Sequence, residues 1–148
     1  MPHLLRAVVV DTREQTPWTF GDIVEIVRVA LPAGDYSTPI LAPRAAVERK
    51  APADFLGTFF DAERRDRQLE RLASLERRAI IVEAKLSDLV ELRGRIHPNA
   101  ILGTVASLVG RHACPVLFAE NPEVAARLAF GILSRWEELE LTKSGAAA

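Results

Sequence analysis

Residues 45–55 read AAVERKAPADF, an apolar segment that ends in three consecutive charged residues before a proline. Its first part has the pattern of a buried strand, and Pro52 suits the first turn of a following helix. Because side chains alternate between the two faces of a strand, Glu48 and Lys50 should point to one face and Arg49 to the other. Three consecutive charged residues are not expected in a strand that enters a core unless they have a function. We therefore predict a functional site at the end of this strand.

The composition is that of a folded, water-soluble domain. The sequence has 148 residues, enough for one domain with a real core, and is 49% hydrophobic and 26% charged. No apolar run approaches the ~20 residues of a membrane span, and the first residues lack the layout of a secretion signal. Cys114 is the only cysteine, which excludes a disulfide framework and a cysteine zinc site. We therefore expect a cytosolic protein without membrane contact.

The apolar patterns predict an α/β fold in which antiparallel strands come first and alternating strands and helices follow. Strands are predicted at residues 7–10, 24–29, from 36 onward, 45–50, 78–84 and 114–120. Helices are predicted at residues 52–78 with a polar interruption at 61–68, then at 86–92, 97–112 and 121–141. Residues 1–141 should form a single domain, and residues 142–148 a flexible, frayed tail.

Acidic residues stand at or near the ends of several predicted strands, at Asp11, Asp35 and Glu48. If neighbouring strands bring them together, three carboxylates and Lys50 converge at one edge of the sheet. Two carboxylates at ~4 Å repel by roughly 4 kcal/mol at an effective dielectric near 20, so a cation is expected between them. Oxygen ligands select hard ions, which makes Mg²⁺ or Mn²⁺ the predicted cofactor.

This set of groups suits the hydrolysis of a phosphodiester. A divalent cation polarises the phosphate and lowers the pKa of a bound water from about 15.7 towards neutrality. A lysine beside it positions that water or stabilises the developing negative charge, and arginines hold the flanking phosphates. The net charge of −1 offers no general attraction to nucleic acid, so DNA binding must come from such a local arrangement.

Four blocks of sequence, in this order, resemble the nuclease domain of the XPF family of structure-specific endonucleases. They are VVVDTRE at 8–14, GDY at 34–36, VERKAPADF at 47–55 and ERRDRQLERL at 63–72. The family signature, GD followed after a gap by ERKxxxD, is filled here by Gly34, Asp35, Glu48, Arg49, Lys50 and Asp54. The resemblance is specific over residues 6–83 and one of pattern only over residues 84–140. It implies a restriction-endonuclease-like α/β fold, with a central mixed β-sheet flanked by helices on both faces.

The resemblance also implies a role for the matching residues. The implied catalytic residues are Asp11, Asp35, Glu48 and Lys50. Among them, Asp35 and Glu48 would bind the metal directly, Asp11 would complete or extend the metal site, and Lys50 would act on the attacking water. The residues implied in DNA contact or in support of the site are Arg13, Glu14, Arg49, Asp54, Arg64 and Gln68. Of these, Glu14 has no implied role of its own.

Taken further, the resemblance implies a Mg²⁺- or Mn²⁺-dependent endonuclease that cuts flaps, forks or other branched DNA in repair or recombination, in the nucleoid. It implies a homodimer, for which the apolar segments 100–110 and 124–136 are the candidate surfaces. The sequence has room for neither the helix-hairpin-helix domain nor the helicase-like domain of many family members, so a separate DNA-binding or helicase partner is expected. The alternatives are a non-catalytic docking or dimerisation partner, and a sequence-specific phage or restriction nuclease of the same fold.

Three residues, Asp11, Asp54 and Arg71, have a structural alternative to a function at the site. Asp11 suits a turn after its strand, and Asp54 suits a helix start, where an acid is favoured by the helix dipole. Arg71 fits an ordinary charged helix face. Trp18, which follows a proline, is a candidate for an exposed loop aromatic near the site.

Overall fold

The computed structural model describes residues 3–145. Its strands are β1 (Ala7–Asp11), β2 (Glu25–Val29), β3 (Tyr36–Ser37), β4 (Ala45–Lys50), β5 (Arg77–Val82) and β6 (Val116–Phe118). Its helices are α1 (Pro52–Phe59), α2 (Ala62–Ala73), α3 (Leu86–Leu92), α4 (Pro98–Gly110) and α5 (Pro122–Gly145). The strands form a six-stranded sheet in the order β2-β1-β3-β4-β5-β6.

The sheet is mixed, and the short strand β3 is the one that runs in the opposite direction. It is antiparallel to β1 and to β4, whereas β1–β2, β4–β5 and β5–β6 are parallel pairs. The prediction of a mixed sheet is confirmed, but the expectation of antiparallel strands at the start of the chain was wrong for β2. Residues 12–24 lead back to the start of β1 before β2 begins, so these two strands run in the same direction.

Helices cover both faces of the sheet, as predicted, because buried strand residues alternate between the faces. On one face α5 shares a core with Val10 and Val47. On the other face α1, α3 and α4 share a second core with Ile80 and Val82. Each fully buried apolar side chain contributes about 1.5–3 kcal/mol, so the two cores hold the strand ends in place. Within residues 3–145 no helix is long and apolar enough to cross a membrane.

Several helix boundaries differ from those predicted. The predicted interruption at 61–68 is a short break at Phe60 and Asp61, and the helix that follows ends at Ala73, five residues before the predicted end. The Asp61 side chain then caps α2 by accepting from the N–H of Arg64 at 3.1 Å. At the other end of the chain, α5 continues to Gly145, so residues 142–145 are helical where a tail was predicted. Between Gly131 and Gly145 the sequence has no proline or glycine that would end the helix, and residues 146–148 lie outside the described residues.

The turn before β3 depends on Gly34. Its φ is +77°, in the left-handed region that favours glycine, and a Cβ at this position would overlap the Cβ of Ala46 on β4. The next residue, Asp35, donates its N–H to the carbonyl of Val47 at 2.9 Å. The glycine therefore lets the chain pass close to β4 and brings Asp35 next to Glu48.

Candidate active site

The catalytic candidates meet where β1 and β4 end and β3 begins. Because β3 runs against its two neighbours, its first residues lie beside their carboxyl ends. The N–H of Asp11 donates to the carbonyl of Asp35 at 2.9 Å, which ties the end of β1 to the start of β3. These strand ends open into a cavity of about 280 Å³, here called the polar cavity. It is lined by Asp11, Arg13, Pro32, Ala33, Gly34, Asp35, Glu48, Lys50, Thr58, Arg64, Arg67, Gln68 and Arg71.

Most of the residues singled out in the sequence lie in the polar cavity. They are Asp11, Arg13, Asp35, Glu48, Lys50, Arg64 and Gln68. The alternation predicted for the end of β4 is confirmed, because Glu48 and Lys50 line this cavity and Arg49 lines a different one. Glu14 contacts Arg49 and is away from the polar cavity as well. Asp54 is exposed in the first turn of α1, outside the cavity, where its charge suits the helix start.

Asp35 and Glu48 form a buried acidic pair. Burial and the charge of Glu48 raise the pKa of Asp35 to about 8, although the N–H of Arg49 donates to its Oδ2 at 2.7 Å. Burial also raises the pKa of Glu48, while Lys50 opposes that rise with its Nζ 3.5 Å from a Glu48 carboxylate oxygen. The pair therefore holds a proton more strongly than two separate carboxyl groups, and a bound cation would displace that proton.

The carboxylate of Asp11 is already saturated with hydrogen bonds. Its Oδ2 accepts from the N–H and Nε of Arg13 at 3.2 and 2.8 Å. Its Oδ1 accepts from Nη2 of Arg13 at 3.1 Å and from the N–H of Leu31 at 2.8 Å. Burial acts to raise the pKa of Asp11, but these hydrogen bonds outweigh it and lower the pKa. The expected group of three carboxylates is thus a pair plus an Asp11 tied to Arg13, and metal binding by Asp11 requires Arg13 to release an oxygen.

The residues present fit a divalent cation with few protein ligands. Within residues 3–145 no group of three or more His, Cys, Asp or Glu side chains has the arrangement of a metal site. Mg²⁺, however, is usually held by one or two carboxylates and keeps several waters. Asp35 and Glu48 offer that donor set, and burial, with the charge of Glu48 acting on Asp35, raises their pKa values, so a bound cation would favour the ionised carboxylates.

Three arginines of α2 form the opposite wall of the polar cavity. They are Arg64, Arg67 and Arg71, whose spacing of three and four residues places them on one face of the helix. The ion pairs found within residues 3–145 involve none of the three. Arg71 is exposed, as expected for a charged helix face, and this face also borders the polar cavity, where the charge of Arg71 acts to lower the pKa of Glu48. The spacing of the three arginines is visible in the sequence, but it does not show that their face borders a cavity.

Arg49 points away from the polar cavity into a network on the opposite face of the sheet. Its Nε donates to Glu83, and its Nη1 donates to Glu14 at 3.3 Å and to the carbonyl of Thr16 at 2.8 Å. The guanidinium carbon also lies 5.0 Å from the centre of the Trp18 ring, over its face. These contacts fix the end of β4 on the face opposite the polar cavity.

Glu83 belongs to this network and was missed in the sequence. It directly follows β5, and its N–H donates to the carbonyl of Lys50 at 2.9 Å. Its carboxylate accepts from Arg49 and from Nε1 of Trp18, the latter at 3.1 Å. The predicted alternation of strands and helices after β4 indicates parallel strands, whose carboxyl ends meet at one edge. That pattern was the available signal for placing Glu83 beside the end of β4.

The aromatic residues behind the site are packed together. Trp18, considered as an exposed loop residue, is buried, and its ring stacks on Tyr36 with centroids 4.3 Å apart. The Tyr36 hydroxyl accepts from the N–H of Trp18 at 2.9 Å and donates to Glu14 at 2.8 Å. Burial raises the pKa of Tyr36, so the hydroxyl stays neutral and can donate this bond.

Comparison with known proteins identifies the family to which this site belongs. The ERCC4 domain model matches residues 10–131, a range that includes every residue lining the polar cavity. The chain belongs to the ERCC4 domain family. The resemblance to XPF nucleases drawn from the four sequence blocks is confirmed, and this ERCC4 domain is of the nuclease type.

Two solved structures of an XPF protein have a fold similar to that of this chain. XPF from Aeropyrum pernix has a TM-score of 0.71 and is 26% identical, with 95% of this chain and 69% of that chain covered. The same XPF in complex with DNA also has a TM-score of 0.71 and is 29% identical, with 90% and 65% covered. The restriction-endonuclease-like mixed sheet predicted for the ERCC4 domain is therefore the fold of an XPF nuclease domain.

A longer protein matches most of this chain over part of its own length. A Methanocaldococcus jannaschii protein that carries the name of an ATP-dependent RNA helicase is 31% identical over 129 residues, which is 86% of this chain. The chain spans 15% of the length of that relative.

Proposed function

We propose that this ERCC4 domain is a Mg²⁺- or Mn²⁺-dependent endonuclease that cuts branched DNA, such as flaps and forks, in repair or recombination. The observation that carries the proposal is the polar cavity, with a buried acidic pair, Lys50 beside that pair, and three arginines opposite. Acids suit a cation and arginines suit a phosphate, and phosphodiester hydrolysis needs both. The DNA complex of the A. pernix XPF supports DNA as the substrate.

The charged residues of the polar cavity each have a part in this reaction. Asp35 and Glu48 would hold the cation, which would supply polarisation of the phosphate and a water of lowered pKa. Lys50, 3.5 Å from Glu48, positions the attacking water or stabilises the negative charge that develops on the phosphate. The arginines of α2 hold phosphate oxygens on the other side. Asp11 and Arg13 keep the turn that leads to Asp35 in place, through the bonds to Leu31.

A cleavage assay with labelled linear, flap, fork and four-way DNA tests this function. With Mg²⁺ or Mn²⁺ the wild type is expected to cut the branched forms, and EDTA should stop the cutting. Glu48→Gln keeps the shape of the side chain but removes its charge, so cleavage should fall at least about 100-fold. Glu120→Gln is the matched control, because Glu120 is exposed and lies outside the polar cavity.

The other outcomes of this assay separate the alternatives. Cutting of linear duplex at one sequence would support the catalytic site but would show that the protein is a sequence-specific nuclease. No cutting by the wild type with either metal, while DNA binding persists, contradicts the enzyme and supports a docking role.

The arginine wall gives a separate prediction. Arg71→Ala should weaken cleavage at low DNA concentration by about tenfold or more, because a hydrogen bond to a charged group contributes roughly 1.5–3 kcal/mol. The slope of log affinity against log salt should shrink by about 0.9, the value for one phosphate contact. Arg65→Ala is the matched control on the same helix, because Arg65 lies outside the polar cavity and pairs with Asp66. Equal effects of the two substitutions would contradict a phosphate contact by Arg71.

A homodimer formed along the β6 edge of the sheet is a further part of the proposal. Within the described residues, β6 pairs with β5 on one side and has no strand on the other. The adjacent helix α4 exposes Leu102 and Val109, two turns apart on one helix face. An open edge strand beside exposed apolar side chains favours a protein interface. This edge includes the segment 100–110, one of the two through which family resemblance implies pairing, whereas the segment 124–136 lies in α5, which packs on β4 and β5.

Sedimentation equilibrium tests the dimer. Leu102→Arg should shift the wild-type dimer towards monomer, because it places a charge in the apolar contact. Ile26→Arg is the matched control, since Ile26 is similarly exposed but lies on β2 at the opposite edge of the sheet. A wild type that sediments as a monomer at every soluble concentration contradicts the dimer.

A DNA-binding or helicase partner completes the proposal. A cavity of about 280 Å³ has room to contact only a few phosphates. The duplex arms of a branched substrate therefore stay unbound unless another domain or protein binds them. The longer relative that carries a helicase name supports the idea that another domain or chain supplies strand separation.

A further inference from the structure

A second and larger cavity lies behind the polar cavity, on the other face of the sheet. Its volume is about 880 Å³, and it lies between residues 16–21 and the first turns of α5. We call it the aromatic cavity. Pockets of about 300–1,000 Å³ bury ligands of the size of a drug molecule, so one nucleotide fits within this volume.

The lining of the aromatic cavity offers flat surfaces. Trp18 is buried on its inner side, stacked on Tyr36, with the Arg49 guanidinium over its ring at 5.0 Å from the ring centre. Phe20 and Phe130 are half-buried neighbours in the lining, with centroids 6.3 Å apart and planes inclined by 30°, and they carry the aromatic surface that remains uncovered. Aromatic faces and the planar guanidinium of arginine are the groups on which nucleobases stack.

The charges and polar groups around these rings suit a nucleotide rather than an apolar side chain. Arg127 is exposed one helical turn before Phe130 and is available to a phosphate at the mouth of the cavity. Thr16, Thr19 and Glu123 add hydrogen-bonding groups for the edge of a base. An apolar side chain of a protein partner would leave these polar groups without partners, at a cost.

Arg49 joins the aromatic cavity to the catalytic residues. Its backbone N–H donates to Oδ2 of Asp35 at 2.7 Å, while its side chain lines the aromatic cavity. Glu48 and Lys50 are its chain neighbours and line the polar cavity. Adjacent Cα atoms are about 3.8 Å apart, so a DNA strand that passes over the end of β4 reaches both cavities within a few nucleotides.

We propose that the aromatic cavity binds one unpaired nucleobase of the DNA strand, close to the bond that is cut. This rests on the proposed nuclease function and deepens it, because it names what the domain recognises in branched DNA. A base inside a duplex has its faces covered by its neighbours, whereas a base in a flap or at a fork presents them for stacking. The aromatic cavity thus selects substrates that have a single strand next to the cut.

Fluorescence of 2-aminopurine tests the proposal directly. A flap substrate carries one 2-aminopurine at a time, at each unpaired position near the junction, and binds the cleavage-deficient Glu48→Gln protein with Mg²⁺. We expect quenching at one or two adjacent positions and none at the others. Phe20→Leu combined with Phe130→Leu should remove that quenching and weaken flap binding by about 5- to 100-fold.

Two further variants keep the test independent of folding. Phe60→Leu is the matched control, because Phe60 is partly exposed between α1 and α2 and lines a different cavity. It should leave the quenching unchanged. Arg127→Glu changes an exposed residue that does not support the core, and it should weaken flap binding several-fold with circular dichroism unaltered.

The outcomes distinguish a failure of this proposal from a failure of the proposed function. If the wild type cuts branched DNA but no position is quenched, or if the double phenylalanine variant is quenched like wild type, the proposal is overturned and the nuclease stands. If the wild type cuts no DNA but the quenching and its loss are observed, the cavity binds a base and the nuclease fails. A protein that binds no DNA overturns both.

Discussion

Asp35→Asn is expected to reduce DNA cleavage at least about 100-fold while leaving the metal-free protein as stable as the wild type or more stable. The loss of activity follows from the loss of one of two carboxylates that would hold the cation. The stability follows from the buried acidic pair, because asparagine removes the repulsion with Glu48 and keeps an oxygen that accepts from the N–H of Arg49. Activity and stability should therefore change in opposite directions.

The pH dependence of this effect has a definite sign. The pKa of Asp35 is about 8 in the folded protein against an ordinary value of 3.8, so the folded state binds the proton more tightly than the unfolded state. Without metal, the free energy of unfolding of the wild type should fall as the pH rises from about 4 to about 8 and stay level above. Asparagine does not titrate, so the advantage of Asp35→Asn should be absent near pH 4 and largest at pH 8 and above.

Thermal unfolding in EDTA across this pH range, together with the cleavage assay, measures both effects. Added Mg²⁺ should raise the melting temperature of the wild type at pH 8 more than that of Asp35→Asn. Asp22→Asn is the matched control, since Asp22 is exposed in a loop away from the polar cavity. An Asp35→Asn protein that is less stable than wild type at pH 8 would show that the pair is not under repulsion.

Gly34→Ala is expected to destabilise the protein by about 2–5 kcal/mol. The left-handed backbone conformation costs an L-residue about 1–2 kcal/mol, and the overlap of the new Cβ with the buried Cβ of Ala46 adds about 1–3 kcal/mol. The chain cannot relieve the overlap by moving one flexible side chain, because Ala46 is a buried residue of β4. Asp35, the next residue, would be displaced with the turn, so activity should fall as well.

Urea unfolding of two comparison proteins separates the two causes. Gly21→Ala has a similar φ of +86° but open space around the new Cβ, so it should cost only about 1–2 kcal/mol. In the double variant with Ala46→Gly, the overlap is removed, and part of the loss at Gly34 should be recovered as a favourable coupling energy. Equal losses for Gly21→Ala and Gly34→Ala, with no coupling to Ala46, would refute the close approach.

Several features of the fold and the site were predictable because they follow local patterns. The period of two along β4 separates Glu48 and Lys50 from Arg49, and the structure has them on opposite faces. The mixed sheet with helices on both faces follows from the strand and helix patterns and from the XPF resemblance. The metal and catalytic roles of Asp35 and Glu48 remain predictions, to be decided by the cleavage assays.

Other features could not be predicted from the sequence because they depend on neighbours that are distant in the chain. Glu83 meets Arg49 across 34 residues, through the parallel pairing of β4 and β5. Arg71 is exposed, as predicted, but a helix pattern does not show that its polar face borders a cavity. The helical residues 142–145 were taken for a tail because a short polar segment at a chain end carries little signal of its own.

By itself, the sequence determined the family, the α/β class, and the face that each residue at the end of β4 would take, because motifs and short periods are local properties. Tertiary structure alone decided that β3 lies between β1 and β4, and that Arg13 and Leu31 saturate the carboxylate of Asp11. It also decided that Phe20 and Phe130 lie beside each other in the lining of a cavity behind the site. Strand order and loop path set these contacts, and both result from the packing of the whole chain.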